Sequence, residues 1–149
     1  MRLQLEQSPT QNINANPTEM WRRVWRDGLG PQLSDSYLEE LRLGLIRDDD
    51  RLLQGYTAQP EPFAVFAREK IEGCCALGFG AWQTGMFERV GDLGRFFERL
   101  CCGADEAVGE MAAARLFLDW YDQTPRPLMR HELLAEVNRL LNQRHPAAA

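Results

Sequence analysis

At 149 residues, with 44% apolar and 26% charged side chains, the chain has the size and composition of one globular domain rather than of a disordered segment. Its formal charge of −5 speaks against a dedicated nucleic-acid binder and against an anionic membrane surface as partner, because both bind clustered cations. No run reaches the roughly 20 apolar residues of a membrane span, and the N-terminus lacks the basic-then-apolar order of a secretory signal, so a cytoplasmic location is expected.

Residues 1–17 are rich in Gln and Asn and carry no helical period. They read as a flexible N-terminal arm, which leaves 18–145 as a single helical domain. The first helix opens at Thr18, which can cap it, and ends at Gly28 and Gly30-Pro31. Met20, Trp21, Val24 and Trp25 form its apolar face, and Arg22, Arg23 and Arg26 form the other. A second helix begins at Ser34 or at Ser36, the latter with Glu39 three residues on as a capping box requires. Its stripe is Tyr37, Leu38, Leu41 and Leu45, with Ile46 beside it. In the acidic run Asp48–Asp50, Asp50 is placed to cap a short turn holding Leu52 and Leu53.

Gly55 to Pro62 reads as a loop, after which Phe63, Phe66, Ile71, Cys74 and Leu77 share one helical face. The glycines of Gly73–Gly85 lower helix propensity, and Cys75, Leu77, Phe79 and Ala81 also alternate as a strand would. No neighbouring segment offers a second strand, so a buried helix is favoured. Val90 to Val108 follows as a helix that stops at Gly109, with Leu93, Phe96, Phe97, Leu100 and Cys101 inward. Glu110 to Tyr121 carries Met111, Ala114, Leu116, Phe117, Leu118 and Trp120. Thr124 is placed to cap the last helix with Pro125 at its first position. That helix has the stripe Leu128, Leu133, Leu134, Val137, Leu140 and Leu141, and frays at His145-Pro146. Short connections predict the last three helices as antiparallel neighbours, with Leu100, Phe117 and Leu134 in one core. The expected fold is all-α, a compact bundle of about five to six helices.

The chemistry-bearing residues are sparse. Cys74-Cys75 and Cys101-Cys102 are adjacent pairs, whereas structural zinc ligands are spaced by two to four residues, so core thiols are the better reading. Gly78-Phe79-Gly80 with Gly85 matches neither phosphate-binding glycine pattern, since Gln83 stands where the third glycine belongs. The aspartates 48–50 are consecutive, not alternating as a calcium loop needs. Two histidines, His131 and His145, give a catalytic triad little material. No cofactor and no metal is therefore expected.

Three functional readings follow. The leading one is a small helical protein–protein interaction module (an adaptor, inhibitor or immunity-type protein) without catalysis, its partner another protein. Trp21, Arg22, Trp25 and Arg26 are the possible docking residues, because tryptophan and arginine dominate interface hot spots. For both tryptophans, packing into the chain's own core is the favoured expectation and docking the sharper alternative. The alternative is an enzyme or enzyme subunit with a site near Trp82, Asp119, Tyr121 and Asp122, where a carboxylate pair could do acid–base work. The second alternative is a helix-turn-helix-like nucleic-acid regulator using the C-terminal helices, which the low isoelectric point disfavours.

Overall fold

In the computed structural model, which describes residues 19–55 and 67–146, six α-helices carry the fold. They are α1 Met20–Val24, α2 Asp35–Arg47, α3 Ala76–Gln83, α4 Val90–Val108, α5 Ala113–Gln123 and α6 Arg126–Arg144. Two isolated bridges, Leu52 with Cys74 and Lys70 with Arg89, are the β pairing among the described residues. The chain is thus all-α, and no described helix is long and apolar enough to cross a membrane. The N-terminal arm, the Thr18 cap, the Pro60–Pro62 loop and the Phe63 and Phe66 positions lie outside the described residues.

The first helix does not end at Gly28. It runs on as a π-helical segment, Trp25–Leu29, and then as a 3-10 turn, Gly30–Gln32. Gly28 acts as a spacer: a Cβ there would lie 3.0 Å from Val108 and 3.1 Å from Ala104, so the segment rests directly on α4. The wider π turn keeps Trp21, Trp25 and Leu29, each four residues apart, all buried on one side. Gln32 donates to the carbonyls of Gly28 (2.8 Å) and Leu100 (3.0 Å), tying this stretch to α4.

Ser34, not Ser36, caps α2, its hydroxyl accepting from the amide of Tyr37 at 3.1 Å. Ile46 is exposed. Beyond the helix it is Asp49 rather than Asp50 that organises the turn, its carboxylate accepting from the Arg51 amide at 2.9 Å. An aspartate bonds most readily to the amide two residues on, and the left-handed Asp48 (φ 52°) aims Asp49 that way.

Within Gly73–Gly85 the helix is α3, as favoured from its sequence. The helical face predicted through Ile71 and Cys74 does not form, although Ile71, Cys74 and Leu77 are all buried. Cys74 instead exchanges backbone bonds with the 51–53 turn, Cys74 to Arg51 and Leu53 to Cys74, at 2.9 and 2.8 Å. That turn is the pairing partner the sequence pattern did not reveal. Against α2, α3 packs without a spacer layer. A Cβ on Gly80 would meet the Tyr37 carbonyl at 2.6 Å, and one on Gly44 would meet the Phe79 ring at 2.5 Å. The buried Tyr37 hydroxyl reaches the carbonyls of Ala76 and Leu77 at 2.8 and 2.7 Å.

Val90–Val108 forms α4 with the limits read from the sequence, stopping at the left-handed Gly109. α5 starts at Ala113, later than Glu110, because the chain needs a turn to reverse direction. Met111 falls on that turn and is exposed. Asp105 of α4 supplies the cap, accepting from the Ala114 amide at 2.8 Å. Thr124 does not cap α6. Its hydroxyl donates to the Trp120 carbonyl at 2.6 Å and so closes α5, and α6 begins at Arg126. α5 packs on α1 and α4, but α6 lies chiefly against α2, so the short connection does not make α5 and α6 packed neighbours. Leu100 and Phe117 sit in one core, while Leu134 is only partly buried beside it and its neighbours Met129, Leu133 and Val137 go fully inside.

Candidate functional site

The aromatic residues of α1 and α5 form a stack that organises one face of the molecule. Trp21 and Trp120 lie ring on ring, 3.6 Å between centroids and 4° from parallel. Phe117 supports both from behind, at 6.2 and 5.8 Å, and stacks on Trp25 at 5.8 Å. The guanidinium of Arg22 sits 4.6 Å over the Trp21 ring, so Trp21 is covered by an aromatic and by a cation.

Arg22 and Arg26 converge on Glu136 of α6, the one charged side chain buried among the described residues. Arg26 forks onto both carboxylate oxygens at 2.8 Å, and Arg22 donates to one of them at 3.1 Å. Burial pushes the Glu136 carboxyl up, but the bond and charge of Arg26 together with the charge of Arg22 outweigh it and hold it below the usual carboxylate value. Arg22 also reaches Glu132 at 3.2 Å and Glu19. Of the four possible docking residues, then, Trp21 and Trp25 lie in the core and Arg22 and Arg26 brace α1 against α6. Trp25, 1% exposed, offers no surface of its own.

Of the four residues of the enzymatic alternative, Tyr121 and Asp122 reach the same Leu53–Gly55 stretch, while Trp82 and Asp119 hold other partners. Tyr121 is buried, and its hydroxyl donates to the Leu53 carbonyl at 2.7 Å. Burial pushes that phenol well above its ordinary value. Asp122 accepts from the Gly55 amide at 2.7 Å. Asp119, three residues before Asp122 on α5, pairs with Arg115 at 3.0 Å. Trp82 packs edge-on against Phe79, with the Arg51 guanidinium over its ring.

The cysteines are free thiols: Cys74 and Cys75 are buried, Cys101 is partly so and Cys102 is exposed. Burial pushes the Cys75 thiol up to about 11, that of Cys101 up to about 12, and that of Cys74 well above its ordinary value. Protonated thiols of this kind are poor nucleophiles and poor metal ligands. No group of three or more His, Cys, Asp or Glu among the described residues could hold a metal. His131 is exposed, and His145 bonds to Asp35.

What the aromatic stack does build is a groove. Between α1, α5 and α6 an open concavity of about 570 Å³ is lined by Leu116, Trp120 and Leu128 together with Glu19, Asp119 and Glu132. Leu128 is 49% exposed there, the one leucine prominent at the surface among the described residues. Sequence reasoning placed Leu128 in the core stripe and missed it. Met129, Leu133, Glu136 and Val137 take the inward positions, and Leu128, one residue before Met129, is turned about 100° away from it. A larger, shallower depression at the end of α4 carries exposed Met111 among Asp105, Glu106 and Glu110, but no described aromatic residue lines it. No family model matches the chain, and neither does any curated protein or any solved structure.

Proposed function

We propose that this protein is an interaction module that docks a segment of another protein in the groove between α1, α5 and α6. The observation that carries the reading is an exposed leucine, Leu128, beside a partly exposed tryptophan, Trp120, whose ring is locked by stacking on Trp21. A rigid aromatic surface with an open apolar neighbour loses little entropy on binding, as hot-spot pockets require. An adaptor, inhibitor or immunity-type role would use this face. The acidic charge and the engaged arginines of α6 favour a protein over a nucleic acid. Arg126, Arg130 and Arg144 donate to the chain's own carbonyls at Asp49, Leu45, Ile46, Leu33 and Gly30 rather than standing free for phosphates.

The test compares proximity capture in the native cell for the wild type, Leu128→Glu and a control, Met86→Glu, at another exposed apolar residue. A partner lost with Leu128→Glu but kept with Met86→Glu supports the groove. A full set of captured proteins retained by Leu128→Glu, with an unchanged melt, removes it.

A further inference from the structure

The lining of the groove specifies its occupant more narrowly. Among the described residues, the three ionisable side chains lining it, Glu19, Asp119 and Glu132, are all carboxylates. The cations nearest them are shared: Arg22 is divided among Glu19, Glu132 and Glu136, Arg26 serves Glu136, and Arg115 serves Asp119. Among the described residues four carboxylates thus face three guanidiniums, on a chain whose formal charge is already −5. Building on the docking role proposed above, we infer that the groove selects a protein segment in which an apolar side chain is flanked by arginine or lysine. The apolar residue covers Leu128 and the exposed part of Trp120. The long alkyl stem of the cation lies along Leu116, and its head reaches the lining carboxylates. Such a head adds hydrogen bonds to carboxylates that Arg22 and Arg115 only partly occupy, and an acidic segment meets repulsion from the same groups. The guanidinium of arginine matches a carboxylate with a planar fork of donors and can also stack on an aromatic face.

The experiment titrates three short synthetic peptides into isotope-labelled protein and follows the Trp120 indole and the Leu128 amide by NMR. One peptide alternates leucine with arginine, the second leucine with glutamine, the third leucine with glutamate. The arginine peptide is expected to shift both signals saturably and to bind about tenfold more weakly at high salt than at low, as a partly exposed charge contact does. Asp119→Asn and Glu132→Gln, each near-isosteric, should each weaken it about three- to tenfold while leaving the melting temperature close to that of the wild type. If the glutamine peptide binds as tightly as the arginine peptide, or the two variants bind it unchanged, charge selection is overturned while apolar docking stands. If no peptide shifts Trp120 or Leu128 at millimolar concentration, both the selection and the docking groove fall.

Discussion

The molecule is held together along two seams of opposite chemistry. Between α2 and α3 the contact is dry: Gly44 and Gly80 let Phe79 and Tyr37 approach to van der Waals distance, and Tyr37 sends its hydroxyl to α3 carbonyls. Along α6 arginines frame the apolar contact of Met129, Leu133 and Val137. Arg22 from α1 and Arg26 from the π segment meet Glu136, Arg42 from α2 donates to Asn138, and Arg126, Arg130 and Arg144 reach back to carboxylates and carbonyls at the ends of α2 and of the α1 extension. Arg130 bonds the last carbonyls of α2, at Leu45 and Ile46, and so supplies a C-terminal cap from another helix. The difference teaches that this chain tolerates change unequally. The dry seam depends on the absence of atoms and admits nothing larger, whereas the arginine seam depends on charge and retains some solvent, so its parts can reorganise.

The sharpest break should come from one added methyl group. In Gly80→Ala the new Cβ would press on the backbone carbonyl of Tyr37, which cannot rotate aside, and a loss of about 3 kcal/mol is expected, at the upper end of ordinary overpacking. Gly44→Ala collides only with the Phe79 ring, so it should cost less, about 1–2 kcal/mol, and Phe79→Leu in the same chain should recover part of it. Urea denaturation of the two singles and the double reads both numbers; equal costs at Gly80 and Gly44 would mean that the seam gives way as a whole.

A middle-sized effect is expected at Glu136. Glu136→Gln keeps the shape but leaves Arg22 and Arg26 without their anion. Because both guanidiniums retain solvent contact, the cost should be about 1–3 kcal/mol, the value of hydrogen bonds to charged groups, rather than the 3–5 of a sealed ion pair. A thermal melt equal to the wild type would show the arginine seam to be ornamental.

The smallest effects separate the seams by pH. The folded state holds Glu136 below its ordinary value of 4.5, so its contribution is present above that value and lost as pH falls through the folded one. The dry side behaves oppositely. Cys75 keeps its proton up to about 11 when folded but ionises near 9.0 when unfolded, so stability falls as pH rises between those values. Stability curves from pH 3 to pH 11 should therefore lose their acid slope in part with Glu136→Gln and their alkaline slope in part with Cys75→Ala. Swapped slopes would reverse the assignment.

These seams also explain which parts were readable in advance. α4 could be bounded from Val90 to Gly109 because its period and its stop are local. The apolar and cationic faces of α1 were legible for the same reason, but not the buried Glu136 that meets the cations from another helix far along the chain. Gly28 was misread because a glycine ends a helix or spaces two helices according to what stands opposite, here Ala104 and Val108. Thr124 was misread because a hydroxyl can serve the helix behind it as readily as the one ahead. The groove depends on whether Leu128 or Met129 faces inward, a choice set by the docking of α6 on α2 and not by its own apolar count.

The π segment Trp25–Leu29 sets the orientation of the helix before it. It accommodates one residue more than an α-helix would over the same rise, and so works as an angular offset between α1 and everything after it. Wound as a regular α-helix with the same number of residues, it would leave Met20–Val24 rotated by about 100° about the helix axis. Trp21 would leave the face of Trp120, and Arg22 would turn away from Glu132 and Glu136, with no side chain of the groove itself replaced. The winding of this one turn therefore decides which residues of the first helix face Trp120 and Glu136.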